Sequence, residues 1–176
     1  MTSPYEQGYL DGLCGIYALI NAVRLLAKID EEEATCLFKS ILRHVEKNKK
    51  LSSIVTDGIL PPDMDGILRC VVSRRYPIEW QRPYVRARRP SVDVYWGRIA
   101  EFMKEDTHRT VILWIKKEND DWDHWSVVET LTASRMKLFD SAGFKVITRS
   151  CSGTAKGTSR SYILKPSNAF FLSYKT

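Results

Sequence analysis

The sequence is poor in the residues that build metal and disulfide sites. Its four cysteines, Cys14, Cys36, Cys70 and Cys151, lie far apart and form no C-x-x-C pair. This removes the usual zinc and dithiol signatures. An even count leaves two disulfides formally open, but scattered cysteines read most simply as those of a reduced, cytoplasmic protein. No apolar run is long enough to cross a membrane. The opening Met1-Thr2-Ser3-Pro4-Tyr5-Glu6 lacks the basic and apolar regions of a secretory signal. There are no internal repeats and no linker, so one domain over residues 1–176 is expected. Nothing in the sequence implies a metal or an organic cofactor.

Apolar residues make up 44% of the chain, enough for a real core. The formal charge of +6 suits acidic partners without bearing on the fold.

The most informative stretch runs from Gln7 to Ala22. Gly8 and Gly12 break helices, so it begins as a loop. From Cys14 onward, Tyr17, Ala18, Ala22, Leu25 and Leu26 recur at helical spacing, which predicts a helix from Cys14 to about Lys28. Cys14 then occupies the first turn. Unpaired N–H groups and the positive end of the helix dipole favour a thiolate there. Gln7, a short loop upstream, is placed to turn an amide N–H toward the same spot. With the backbone N–H of Cys14 it makes two donors for an oxyanion.

A nucleophile needs a base. Asp123-His124-Trp125-Ser126-Val127-Val128-Glu129 reads as the start of a strand, and Lys137-Leu138-Phe139-Asp140-Ser141 as the next strand ending in a turn. Paired as a hairpin, they bring Asp140 beside His124, where it orients the ring. Asp123 turns to the opposite face, because neighbouring strand residues alternate. His44 and His108 fall at a helix end and a loop edge and are poorer bases.

The order Gln7, Cys14, His124, Asp140 resembles that of the papain-like cysteine peptidases. It most resembles the small bacterial branch that includes the double-glycine-leader peptidases of bacteriocin exporters. The likeness lies in the Gly-Leu-Cys-Gly helix start, the His-Trp-Ser-Val-Val-Glu strand and the Phe-Asp-Ser turn, which together cover about a quarter of the chain. The Cys-Gly-Ser/Ala-Cys-Trp pattern of papain and the cathepsins is absent, and the third member is Asp rather than Asn. The resemblance implies a nucleophile helix packed against a sheet that carries the base.

Along the chain, Asp30 caps a second helix with its apolar stripe from Ala34 to Val45. Cys36 lies beside that stripe and reads as structural. Ser52 to Leu60 reads as a connector. Pro61-Pro62 opens a third helix with Ile67, Leu68, Val71 and Val72 on its buried side. Three prolines argue against a long regular element between Arg74 and Pro90. Six arginines there, interleaved with Tyr76, Trp80 and Tyr84, suggest an exposed sticky surface. Ser91 caps a fourth helix. Strands follow at Val111–Ile115, His124–Leu131, Arg135–Asp140 and Lys145–Thr148, with a polar turn over 116–122. Ser150 to Ser161 reads as a mobile loop, and Ser161–Leu164 and Ala169–Tyr174 close the chain as strands. Helices first and strands afterwards give an α+β domain with a mostly antiparallel C-terminal sheet.

The expected function is therefore a thiol hydrolase that opens a peptide or other amide bond through Cys14, His124 and Asp140, with Gln7 in the oxyanion hole. Trp122, Trp125 and Trp80 are candidates to wall the substrate cleft, and are as readily core residues. The same thiol–imidazole chemistry also serves deamidases and acyl transferases that modify a protein. A third reading makes the Arg74–Arg89 segment a binding module for an acidic protein or nucleic acid beside a vestigial cysteine site. No nucleic-acid motif is present, so weak, non-specific binding at most is expected.

Overall fold

Helix α1, Cys14–Ala27, is apolar on nearly every side, which is the pattern of a central helix rather than a surface one. Ile16, Leu19, Ala22 and Val23 have no exposed surface at all. The helix stops at Lys28, whose left-handed backbone (φ 55°) lets its N–H return to the Arg24 carbonyl. Buried Asn21 exchanges two hydrogen bonds with the Tyr5 backbone, at 2.8 and 3.0 Å, and so clamps the N-terminal arm to the helix. The arm that carries Gln7 is thereby fixed before it reaches the site.

The computed structural model describes residues 3–106, 108–118, 122–157 and 159–175. Residues 119–121, within the expected polar turn, and Met1 and Thr2 of the opening stretch lie outside them. Helix α2, Glu31–Val45, begins with a reciprocal capping box between Asp30 and Glu33. Helix α3, Leu51–Asp57, replaces the expected connector. It was hidden by its seven residues, two of them serines, and by a single buried anchor, Ile54. Helix α4, Pro61–Ile67, starts on proline and continues as a wider π turn over Leu68–Val72. Helix α5, Val92–Lys104, is capped by Ser91, whose hydroxyl accepts the Val94 N–H at 3.3 Å.

The strands are β1 Ile78–Gln81, β2 Arg109–Lys117, β3 Asp123–Leu131, β4 Arg135–Phe139, β5 Val146–Thr148, β6 Ser152–Gly153, β7 Tyr162–Leu164 and β8 Phe170–Tyr174. The main sheet runs β1-β8-β2-β3-β4-β5, and β7 lies beside β2 beyond the end of β8. Every pairing is antiparallel except the short β6–β7 ladder. The expected loop after Ser150 is thus partly ordered, through β6 and through the Thr154 hydroxyl on the Pro90 carbonyl at 2.6 Å. A four-residue strand, β1, also sits inside the arginine-rich segment.

Two apolar cores cover the two faces of this sheet. Ile112, Trp125, Val127, Phe139, Phe170 and Leu172 pack against α1, α2 and α4. Val111, Leu113, Ile115, Val128, Leu138 and Phe171 pack against Tyr95, Trp96, Ile99 and Phe102 of α5. The fold is α+β, with a mostly antiparallel sheet between helices. Strand β2 reads as a continuous apolar run because both of its faces are buried.

Gly15 sets how closely α1 approaches β3. A Cβ there would meet Ile59 Cγ1 at 2.5 Å and Trp125 Cδ1 at 3.0 Å. Only glycine allows that contact without displacement, and the contact holds the start of α1 against the strand that carries His124.

Candidate active site

Cys14 is the first residue of α1 and is half-buried. Among the described residues no side chain caps this helix, and its first turn carries no acid. The first turn itself therefore places no negative charge on the positive helix end. The loop leading to it is built on Asp11. One carboxylate oxygen accepts the Gly8 N–H at 2.7 Å and the other accepts the Leu13 N–H at 3.0 Å. Gly12 donates its N–H to the Val55 carbonyl of α3 at 2.6 Å, which seats the loop on the helix absent from the sequence reading. Tyr9 and Leu10 stand fully exposed at its tip.

The β3–β4 hairpin pairs Val127 with Phe139, and Asp140 follows at the strand end. His124 Nε2 and Asp140 Oδ2 lie 2.7 Å apart, and both residues are only 3% exposed. With Nε2 committed to the carboxylate, Nδ1 is the ring nitrogen left for other work. The second Asp140 oxygen accepts the N–H groups of Ala142 (2.8 Å) and Phe144 (2.9 Å). That turn locks the carboxylate in place.

Burial alone would push the His124 imidazolium toward deprotonation. The hydrogen bonds and charges of Asp140 and Cys14 outweigh it and lift the ring to about 9. For Asp140, burial favours the neutral acid, but His124 and the turn N–H groups hold it below its ordinary value. The buried ring therefore keeps its proton to higher pH than a free imidazole, with Asp140 as its first partner.

Gln7 bridges the two halves of the site. Its backbone N–H donates to the Ser141 carbonyl at 3.0 Å, and its Oε1 accepts the Ser141 hydroxyl at 3.0 Å. Its Nε2 donates to the Asp11 carbonyl at 3.3 Å. The sequence reading did not single out Asp11 or Ser141. The signals were there, in the Asp-Gly pair before the helix and in the Asp-Ser turn.

The three tryptophans part company. Trp122 stacks on His124 at 5.4 Å between ring centres, with Phe144 edge-on to it at 6.1 Å. It covers the imidazole directly. Trp125 is a core residue, 3% exposed, with its indole N–H on the Ile59 carbonyl and its ring against Trp114 at 5.0 Å. It has no free face to offer a cleft, because the strand is buried on both sides. Trp80 lies on the edge strand β1, three strands away from β3, with its N–H on Asp65.

The arginine-rich segment also differs from the expected uniform surface. Arg82 is spent on structure: it pairs with Asp65, donates to the Ser167 carbonyl at 2.8 Å and lies over the Phe170 ring. Tyr76, Trp80 and Tyr84 are half-buried against the two cores rather than presented outward. All four cysteines are free, and Cys36 and Cys151 are exposed. Cys36, expected to be structural beside the stripe of α2, is exposed. No group of metal-ligating side chains occurs among the described residues, and no described helix is long and apolar enough to cross a membrane.

No protein-family model matches the sequence, and no curated protein is recognisably similar to it.

Proposed function

We propose that the protein is a papain-like thiol hydrolase that opens a peptide or other amide bond. The observation that carries this reading is the buried His124–Asp140 pair at 2.7 Å, formed within reach of a cysteine on an uncapped helix start. A cationic ring beside a cysteine favours the thiolate, and the uncapped helix end adds to that preference. In the proposed sequence the thiolate attacks the carbonyl carbon. The Cys14 N–H and the Gln7 amide receive the negative oxygen. The His124 imidazolium gives its proton to the departing amine, and the thioester forms as the C–N bond breaks. His124, now neutral, takes a proton from water as the hydroxide oxygen attacks the thioester, and the acid product leaves with Cys14 regenerated.

A structural role for the pair accounts less well for its surroundings. A buried charged couple is weak as a stabilising device. Here His124 lies on β3, the strand that α1 packs against, and Asp140 in the turn after β4, with Trp122 over the ring. The same geometry serves a deamidase or acyl transferase, since these share the thioester and differ only in what leaves or resolves it. The binding-module reading is less well supported, because the aromatics that were to stack on bases face inward.

The test is a proteome digest incubated with the protein or with Cys14→Ala, followed by sequencing of new N-termini. Peptide hydrolysis predicts new termini that depend on Cys14. Conversion of glutamine to glutamate without new termini would assign the site to deamidation. No Cys14-dependent change of either kind would overturn amide chemistry.

A further inference from the structure

A basic cavity lies at the same end of the sheet as His124. It encloses about 610 Å³, within the range of a side-chain or small-ligand pocket. Arg89, Lys116, Lys156 and Lys165 line it, and none of the described lining residues is acidic. One wall is the chain from Arg82 to Pro90, which is anchored at both ends. Arg82 is held by Asp65, Ser167 and Phe170, and the Pro90 carbonyl by Thr154. Between the anchors the chain lines the cavity and supplies Arg89. The Lys165 ammonium, also in the lining, sits 4.7 Å over the Trp114 ring, so its position is set by an aromatic face.

The cavity is joined to the catalytic strand by the sheet register. Lys116 pairs with Asp123, the neighbour of His124, and with Ile163 of β7 on its other side. Strand β7 is thus two strands from β3, about 10 Å at ordinary strand spacing. An extended peptide covers that distance in about three residues.

Resting on the hydrolase reading above, we infer that this cavity is a specificity subsite, which holds an acidic side chain about three residues from the amide that Cys14 opens. Arg89, Lys156 and Lys165 around this volume favour an anion. The aliphatic walls, Val85, Ile163 and Pro166, suit the methylene stem of a glutamate better than a bare inorganic ion. A nucleic acid would need a stacking platform. The one aromatic ring among the described lining residues, Tyr84, is already edge-on to Tyr95 at 5.6 Å.

Labelled hexaglutamate, hexalysine and oligothymidylate are titrated by fluorescence anisotropy into the Cys14→Ala protein and into Cys14→Ala carrying Arg89→Ser and Lys156→Ser. These two cations are exposed, so their loss leaves the cores intact. The subsite predicts saturable binding of hexaglutamate alone, weakened about tenfold by the double substitution and further by salt. It also predicts that unlabelled hexaglutamate slows iodoacetamide modification of Cys14 in the wild-type protein and leaves Cys36 unaffected. Equal affinity in the substituted protein, or tighter binding of oligothymidylate, would overturn the subsite. A Cys14 no more reactive than Cys36 without peptide would overturn the hydrolase reading itself. A reactive Cys14 with no saturable hexaglutamate binding would overturn the subsite alone.

Discussion

Gln7 is tied to Ser141 twice, once through its backbone N–H and once through its side-chain oxygen, each at 3.0 Å. The residue between Ser141 and β4 is Asp140, so one turn holds both the partner of His124 and the partner of Gln7. The N-terminal arm and the hairpin, more than a hundred residues apart in sequence, meet at this turn. Its consequence is directional. With Oε1 held by a hydroxyl donor, the Gln7 amide presents its N–H groups away from Ser141, toward the Cys14 loop.

This gives the first prediction. Gln7→Ala should lower kcat about a hundredfold on a substrate recovered from the digest, as expected for one lost oxyanion donor. Ser141→Ala should cost less, about tenfold, because Gln7 keeps its backbone bond and loses only its orientation. Iodoacetamide modification of Cys14 should be unchanged in both, since neither touches the thiol–imidazole pair. A Gln7→Ala protein with full kcat would remove Gln7 from the oxyanion site.

The second prediction concerns pH. The His124 ring is raised from 6.5 to about 9 when folded. Its contribution to stability is therefore full below about pH 6.5 and is lost as pH rises through about 9. Asp140 is depressed from 3.8, so its contribution is present above that value and is lost as pH falls through the lowered one. The pair stabilises most between about 4 and 6.5. Asp140→Asn keeps an acceptor for the ring but removes the charge. It should move the His124 titration, followed by NMR, downward from about 9. Denaturation midpoints of wild type and variant should converge above that pH. A His124 titration unmoved by Asp140→Asn would contradict the assigned pairing.

The third prediction concerns the approach of α1 to β3. Gly15→Ala places a methyl 2.5 Å from Ile59 Cγ1. It should destabilise by about 1–3 kcal/mol, as overpacked cores do. Ile59→Ala removes the obstructing atoms and should recover part of the loss in the double variant, which a thermodynamic cycle from urea titrations measures. Additive losses would mean that the close approach is not made at that contact.

Much of this architecture could be read from residue order. Asp30 and Ser91 mark helix starts because each accepts a first-turn N–H, and Pro61 marks one because it has no N–H to leave unpaired. The His124–Asp140 hairpin was legible because short antiparallel neighbours pair across a tight connection. What escaped the sequence was set by distant parts of the chain. Strand β8 sits between β1 and β2, pairing Phe171 with Val111 and Gln81, and no local pattern encodes that insertion. Trp125 looked like a cleft residue because a strand buried on both faces shows no alternation to reveal its side. Helix α3 depends on one buried isoleucine, too few for a periodic signal. Arg82 looked like a surface charge because its partners, Asp65 and Ser167, come from elements on either side of it in sequence.

The most direct test of the account is the relative reactivity of the cysteines within one molecule. Cys36 and Cys151 are exposed and free, whereas Cys14 is half-buried. At about pH 6 an ordinary thiol is less than about 1% ionised, so access alone would make the two exposed cysteines react first. Iodoacetamide modification at that pH, resolved by peptide mass spectrometry, is predicted to label Cys14 at least about tenfold faster than Cys36 or Cys151. His124→Ala should abolish that advantage. Labelling that follows exposure, with Cys14 slowest, or an advantage that survives the loss of His124, would contradict a Cys14–His124 nucleophile.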